Sequence, residues 1–451
     1  DLLTGRVVPG HYFWERLLAL GVSESDLIEL ADDPCPPDVI GINHYLTSER
    51  LLDERIDRYP VRTHGGNWEH AYADIEAVRV CVDGPGGWDR LLRATWDRYG
   101  LPVAATEVHL ACTREEQLRW LLEVWDTARA LRREGIDVRA VTAWSLLGAF
   151  GWNRLVTQEG GDYEPGVFDL RAPSPRPTAL AKLVKELATG QEPTHPVLTV
   201  AGWWRRPSRL HYPPVDRRGT DVVASTEMEV PGGTVGILVI GPAAPLREAF
   251  AASCAMRAIP CICRENSLPG SWESDIRMEL AAGRPWAVAV TSLADVAVDD
   301  VEAVSRACAE LGVPLLSCES GRVFPATCMV PAVPSELGPI GPVNGPHQAT
   351  RVVEQALLAV HPGAIVVLGG SCVDPELWAG SGPETRRGRV GEWGEGDLIG
   401  DARALADTSI DLIIDGAAGV WHLATRLALA GDRLTFIEPV DPVVRSERKV
   451  S

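Results

Sequence analysis

The chain has 451 residues, 45% of them apolar and 23% charged, and carries a formal net charge of −19. That length covers two or three domains, and the apolar share is that of a globular protein with cores of ordinary size. The acidic balance argues against nucleic acid or an anionic membrane surface as partner, and no apolar run reaches transmembrane length without charge.

The ten cysteines (Cys35, Cys81, Cys112, Cys254, Cys261, Cys263, Cys308, Cys318, Cys328 and Cys372) form no CxxC pair. Scattered through apolar segments, they are expected as reduced thiols of a cytoplasmic protein, with neither a disulfide framework nor a metal site. The chain opens at Asp1 without Met, which leaves room for an upstream segment.

In chain order, residues 1–33 read as a loop and a helix with Tyr12, Trp14, Leu17, Leu18 and Leu20 as apolar positions, then a short helix opened by Ser23. Residues 37–47 are an apolar strand ending in polar residues. The long polar stretch 48–89, rich in Tyr, Trp, His and Gly, is expected as a lid or mobile loop. A helix over 88–99 follows. Residues 101–110 are a short buried strand with Glu107 at its C-terminal tip, because a parallel strand covered on both faces is a nearly unbroken apolar run. Thr113 and Glu116 make a capping box for an amphipathic helix over 114–134, whose apolar stripe holds Leu118, Leu121, Leu122, Val124, Trp125, Ala128 and Leu131. Residues 140–147 are a third strand. This is βαβ grammar, and in a (β/α)8 barrel the strand tips carry the chemistry. Glu107 is therefore a candidate acid, its plain alternative being an acid that only faces the next helix dipole.

Three motifs in this order carry a resemblance: Gly41-Ile-Asn43-His44-Tyr45, Thr106-Glu107-Val108-His109, and Trp144-Ser-Leu-Leu-Gly148-Ala149-Phe150-Gly151-Trp152. They resemble the sixth, seventh and eighth strand ends of family 1 glycoside hydrolases, the β-glucosidase family, and the likeness continues through 163–169 and 176–187 to about Gly190. The resemblance implies a partial barrel with Glu107 as nucleophile of a retaining mechanism and Tyr45 donating to it. Asn43, Trp144 and Trp152 would contact the sugar. The family's acid/base motif, Asn-Glu-Pro, does not occur here and is expected upstream of Asp1. The acid that grips sugar hydroxyls falls on Gly151, and the preceding Asp-Asn pair on Gly148-Ala149. A retaining glycosidase needs two carboxyl groups about 5 Å apart, so this chain is not expected to complete hydrolysis unaided. Another copy, or the missing half of the barrel, is expected to cover the exposed sheet edges.

From 191 to 231 the sequence turns linker-like. Beyond 232, the strands expected at 234–241, 260–263, 286–291, 313–317 and 364–368 alternate with helices at 245–256, 301–311 and 348–360, which argues a doubly wound parallel sheet. A dinucleotide needs bare backbone after the first strand. Here that turn reads Gly241-Pro-Ala-Ala-Pro-Leu-Arg247, with only the first glycine kept.

Residues 320–324 (Ser-Gly-Arg-Val-Phe) and 419–424 (Gly-Val-Trp-His-Leu-Ala) resemble motifs of dTDP-4-dehydrorhamnose reductases, extended short-chain dehydrogenases with a Rossmann-like fold. The order of the two halves resembles a bacterial sugar nucleotide-binding fusion family. The resemblance implies a degenerate reductase site: Ser320 keeps a hydroxyl, while the Tyr and Lys positions fall on Asn344 and Gln348. An amide pair cannot supply that proton donor. No cofactor is expected, NAD(P) being the disfavoured alternative.

The expectation is thus an α/β protein: a partial (β/α)8 barrel over 1–190, a linker over 191–231, and a Rossmann-like doubly wound parallel sheet over 232–451. Its ligand is a carbohydrate or nucleotide-sugar. The leading function is a glycoside hydrolase-like module fused to an inactive reductase-like domain. The alternatives are a non-catalytic sugar or nucleotide-sugar binding protein and an NAD(P)-dependent reductase.

Overall fold

In the computed structural model, the residues described are 1–67, 69–151, 163–170, 175–216, 218–221, 236–241, 244–264, 272–282, 285–291, 298–320, 365–369, 395–418, 425–430 and 433–439. The chain is a mixed α/β protein with parallel sheets in two compact units. The first comprises 1–110, 120–144 and 203–227; the second comprises 111–119, 145–202 and 228–451.

The first unit opens with helices α1 (Tyr12–Ala19) and α2 (Glu24–Asp32). Ser23 caps α2 as expected, its hydroxyl accepting from the Asp26 amide. Strand β1 (Ile40–Asn43) pairs in parallel with the strand Val103–Val108, which pairs in parallel with Val138–Ala143. Among the described residues this sheet has three strands and no barrel closure.

The polar insertion is folded rather than loose. Strands β2 (Arg50–Asp53), β3 (His64–Gly66) and β4 (Ala71–Glu76) form an antiparallel sheet with β4 central. Alternate β4 residues Ala73 and Ile75 join Tyr59, Ala77, Val80, Cys81 and Val215 in a small core. The period-two pattern is short and built on alanine, which hides it in the sequence. Buried Asp53 accepts from Arg55 (2.6 and 2.8 Å) and from Tyr59 (2.7 Å). Those donors, Arg55 first, hold its carboxyl well below the usual range.

Helix α3 (Gly87–Tyr99) leads into β5 (Val103–Val108), whose Val103, Ala104 and Ala105 are buried as the apolar run implies. Helix α4 (Arg114–Arg133) and strand β6 (Val138–Ala143) follow. Part of the stretch expected as a linker is packed into this unit: Trp204 is fully buried, edge-on to Trp120 with centroids 5.0 Å apart, and donates to Glu123 at 2.8 Å.

The second unit holds short strands β7 (Ala149–Phe150), β8 (Tyr163–Glu164), β9 (Phe168–Asp169) and β10 (Arg176–Pro177), then helix α5 (Ala179–Ala188). Its main sheet contains β11 (Gly236–Ile240), β12 (Cys261–Arg264), β13 (Pro285–Thr291), β14 (Leu315–Ser320), β15 (Ile365–Gly369), β16 (Thr425–Ala430) and β17 (Arg433–Pro439). They run in the order β12-β11-β13-β14-β15-β16-β17, all parallel except the β16–β17 pair. Helices α6 (Ala244–Met256), α7 (Trp272–Ala281) and α8 (Val298–Leu311) make the crossovers, and α9 (Glu395–Ala417) links β15 to β16. Helix α6 packs with α9 and α7 with α8. β12 lies on one side of β11 and β13 on the other, so the strand order reverses at β11, as in doubly wound sheets.

Buried charges tie α9 into this unit. Asp415, 1% exposed, accepts from the Ala179 amide at 2.7 Å and so caps α5, whose own Thr178 makes no side-chain cap. It also meets Arg176 at 3.0 Å and Arg114 at 3.3 Å, while Arg257 bridges Glu115 and Asp411. The start of α4 buries Arg114, Glu115, Glu116, Gln117 and Arg119, which lie outside the apolar stripe. Paired charges make that burial tolerable.

Candidate functional site

The C-terminal ends of β1 and β5 bring the first three expected residues together. Gly41 lies beside β5 because a Cβ there would meet Thr106 Cγ2 at 2.8 Å. The β1–β5 register runs Ile42 to Ala105 and then Asn43 to Glu107, so β5 carries one extra residue at Thr106. The β5–β6 register shifts over the same stretch. A bulge bends a strand and re-aims side chains, and here it falls at the candidate acid.

Glu107 is half-buried, and the Tyr45 hydroxyl donates to its Oε2. Among the described residues Tyr45 is the one hydrogen-bond partner of this carboxylate, and no hydrogen bond engages Oε1. Burial first, then the hydrogen bond to Glu107, pushes the Tyr45 phenol well above its ordinary pKa. At neutral pH the Tyr45 hydroxyl therefore keeps its proton and donates it in a hydrogen bond to Glu107 Oε2. The arrangement orients one oxygen of the carboxylate and, among the described residues, leaves the other without a hydrogen bond.

Asn43 is exposed and accepts from Thr106 Oγ1 at 2.6 Å, a link the sequence reading assigned no role. Trp144 is half-buried just past β6. Its amide donates to the Val108 carbonyl at 3.1 Å, and its ring meets His109 edge-on at 4.7 Å. Trp144 is thus positioned by the residues that follow Glu107. Trp152 lies outside the described residues.

In the second unit, β11 and β13 end beside one another. Gly241 has φ +138°, and a Cβ there would lie 2.2 Å from the Thr291 carbonyl, so glycine is required. Arg247, on the first turn of α6, donates to the Gly241 carbonyl at 2.5 Å. Residues 242 and 243, which complete this turn, lie outside the described residues. Ser320 ends β14 in register with Gly369 of β15. Asn344 and Gln348, the expected helix over 348–360 and the 419–424 motif lie outside the described residues. Among the described residues no cluster suits a metal ion, and no helix is long and apolar enough to cross a membrane.

No protein-family model matches the chain. Solved structures similar to it include a dTDP-4-dehydrorhamnose reductase from Bacillus anthracis in complex with NADP, at 15% identity over 30% of this chain and 54% of that one, with a TM-score of 0.23. An orthologue from Clostridium acetobutylicum matches at 14% identity over 29% of this chain and 52% of that one, TM-score 0.22. A GDP-L-fucose synthetase from Naegleria fowleri matches at 14% over 30% and 50%, TM-score 0.23. The chain thus spans about half the length of each of these structures, and likeness at this level carries no inference about activity or ligand.

Proposed function

We propose that the first unit carries a carbohydrate site of the retaining glycoside hydrolase type, with Glu107 as nucleophile and Tyr45 as the donor that orients it. The observation that supports this reading is the Tyr45–Glu107 hydrogen bond at adjoining parallel strand ends, with Oε1 left without a hydrogen bond among the described residues. In the first step the Glu107 oxygen forms a bond to the anomeric carbon while the bond to the leaving oxygen breaks, and the electron pair departs with that oxygen. An ordinary alcohol needs a proton at that moment, to be supplied by a second carboxyl from outside the described residues. Dinitrophenolate needs none. Dinitrophenyl glycosides therefore test the proposal on this chain as it stands: a burst of dinitrophenolate stoichiometric with protein is expected, and its loss in Glu107→Gln. No burst from any such glycoside, or one that survives in Glu107→Gln, overturns it.

A second reading concerns the other unit. The reversal of strand order at β11 is where doubly wound folds take their ligands, and a nucleotide-sugar is the ligand class proposed there. Calorimetric titration with dTDP-sugars and with NADPH separates this from a reductase: heat is expected with the former alone, and NADPH binding with turnover would contradict it.

A further inference from the structure

We infer that buried His44, packed on α3 beside the Glu49 carboxylate, positions Tyr45 against Glu107. This rests on the reading of the Tyr45–Glu107 pair given above, although its test does not depend on catalysis.

The chain of contacts starts at helix α3. Its N-cap, Gly86, has no side chain to satisfy the first amides. Glu49 does so from a distance, its Oε2 accepting from the Gly86 amide at 2.8 Å and its Oε1 from the Gly87 amide. A carboxylate is well placed there, since the helix dipole favours negative charge at its N-terminus. Glu49 Oε1 also lies 3.7 Å from His44 Nε2. His44 is 3% exposed and packs edge-on against Trp88, ring centroids 5.4 Å apart at 88°. The His44 Nε2 atom has no hydrogen-bond partner among the described residues. The carboxylate beside it, 3.7 Å away, is thus the one that caps α3, and burial lowers the imidazole's pKa more than Glu49 raises it.

Tyr45 is extended, with φ −115° and ψ 147°. Neighbours in extended backbone point to opposite sides, so seating His44 in the core turns Tyr45 away from it, toward Glu107. Leu46, fully buried, fixes the other flank, and the Ser48 amide donates to the Tyr45 carbonyl at 2.8 Å. Tyr45 is thus flanked along the chain by two buried residues. His44 is the one packed on a helix, through Trp88 of α3.

The readout is the Tyr45 Cζ resonance in protein carrying 13C-labelled tyrosine, assigned by its absence in Tyr45→Phe. In the parent it should show a strongly hydrogen-bonded phenol. In His44→Phe, which keeps a ring against Trp88, it should move toward the position of free tyrosine while the other six tyrosines stay in place. His44→Gln, which keeps a polar side chain, should restore part of the shift. A folded His44→Phe protein with an unmoved Tyr45 resonance overturns the inference. Should His44→Phe fail to fold, Glu49→Gln decides: it keeps an oxygen for the α3 amides and removes the charge near His44, and an unmoved resonance there also overturns it. Failure of the glycosidase reading appears separately, as absence of the dinitrophenolate burst in the parent.

Discussion

The two parallel sheets differ in how they treat their strands. In the second unit, β11 is buried along its whole length and β13 almost so, and flanking strands pair on both sides. In the first unit only β5 is so enclosed. β1 and β6 each pair on one side among the described residues, and Gly41, Asn43, Arg139, Ala140 and Thr142 are exposed. A fully buried sheet puts its strands to use as core. A half-open sheet exposes polar residues at its tips, where a carboxylate can be both held and reached.

The comparison is broken most severely at the charges that brace the second unit. Asp415→Ala strips the cap from α5 and leaves Arg114 and Arg176 short of a buried counter-charge, so a loss of about 3–5 kcal/mol is expected in denaturant unfolding. The first unit should be disturbed less, which its tryptophan and tyrosine signals can report. A loss under about 1 kcal/mol would mean the network is dispensable. Next is Gly241→Ala, which forces a side chain onto the Thr291 carbonyl at a positive φ. A cost of about 1–3 kcal/mol is expected, whereas Gly41→Ala, meeting only the movable Thr106 side chain, should cost less and act on the site rather than on stability.

Tyr45→Phe removes a single donor to a charged acceptor. Glu107 reactivity should fall by the equivalent of about 1.5–3 kcal/mol, with thermal stability nearly unchanged.

The smallest effect is pH dependence. Burial lowers the pKa of His44 and of His195 from 6.5. Below about 6.5 the unfolded chain takes up protons that the folded one does not, so stability is full above that pH and declines as pH falls, by at most about 1.4 kcal/mol per pH unit for each ring. His44→Phe should flatten the part of the decline that belongs to the first unit, and a profile unchanged by that substitution would contradict the assignment.

Much of this was legible in the chain itself. The buried run at 103–105, the tip acid and the Gly41-to-Tyr45 motif point to adjoining strand ends, where a hydrogen bond joins Tyr45 to Glu107. The doubly wound unit follows from alternating apolar runs and helical periods. Long-range pairing was not legible. Nothing local says that the polar face of α4 finds Arg257 and Asp415. The sheet within 48–89 was hidden because β4 buries only alanine and isoleucine. His44 looked like a simple departure from a motif because the helix it packs on, α3, starts far along the chain at Gly87.

The central claim is that Glu107 is an oriented nucleophile in a carbohydrate site. Its most direct test is mass spectrometry of the intact protein, then of its peptides, after incubation with a dinitrophenyl 2-deoxy-2-fluoro glycoside, whose fluorine slows release of the glycosyl ester. One fluoroglycosyl group on the peptide containing Glu107, absent in Glu107→Gln, is the expected result. An unmodified Glu107 peptide, or label of equal yield in the variant, would contradict it.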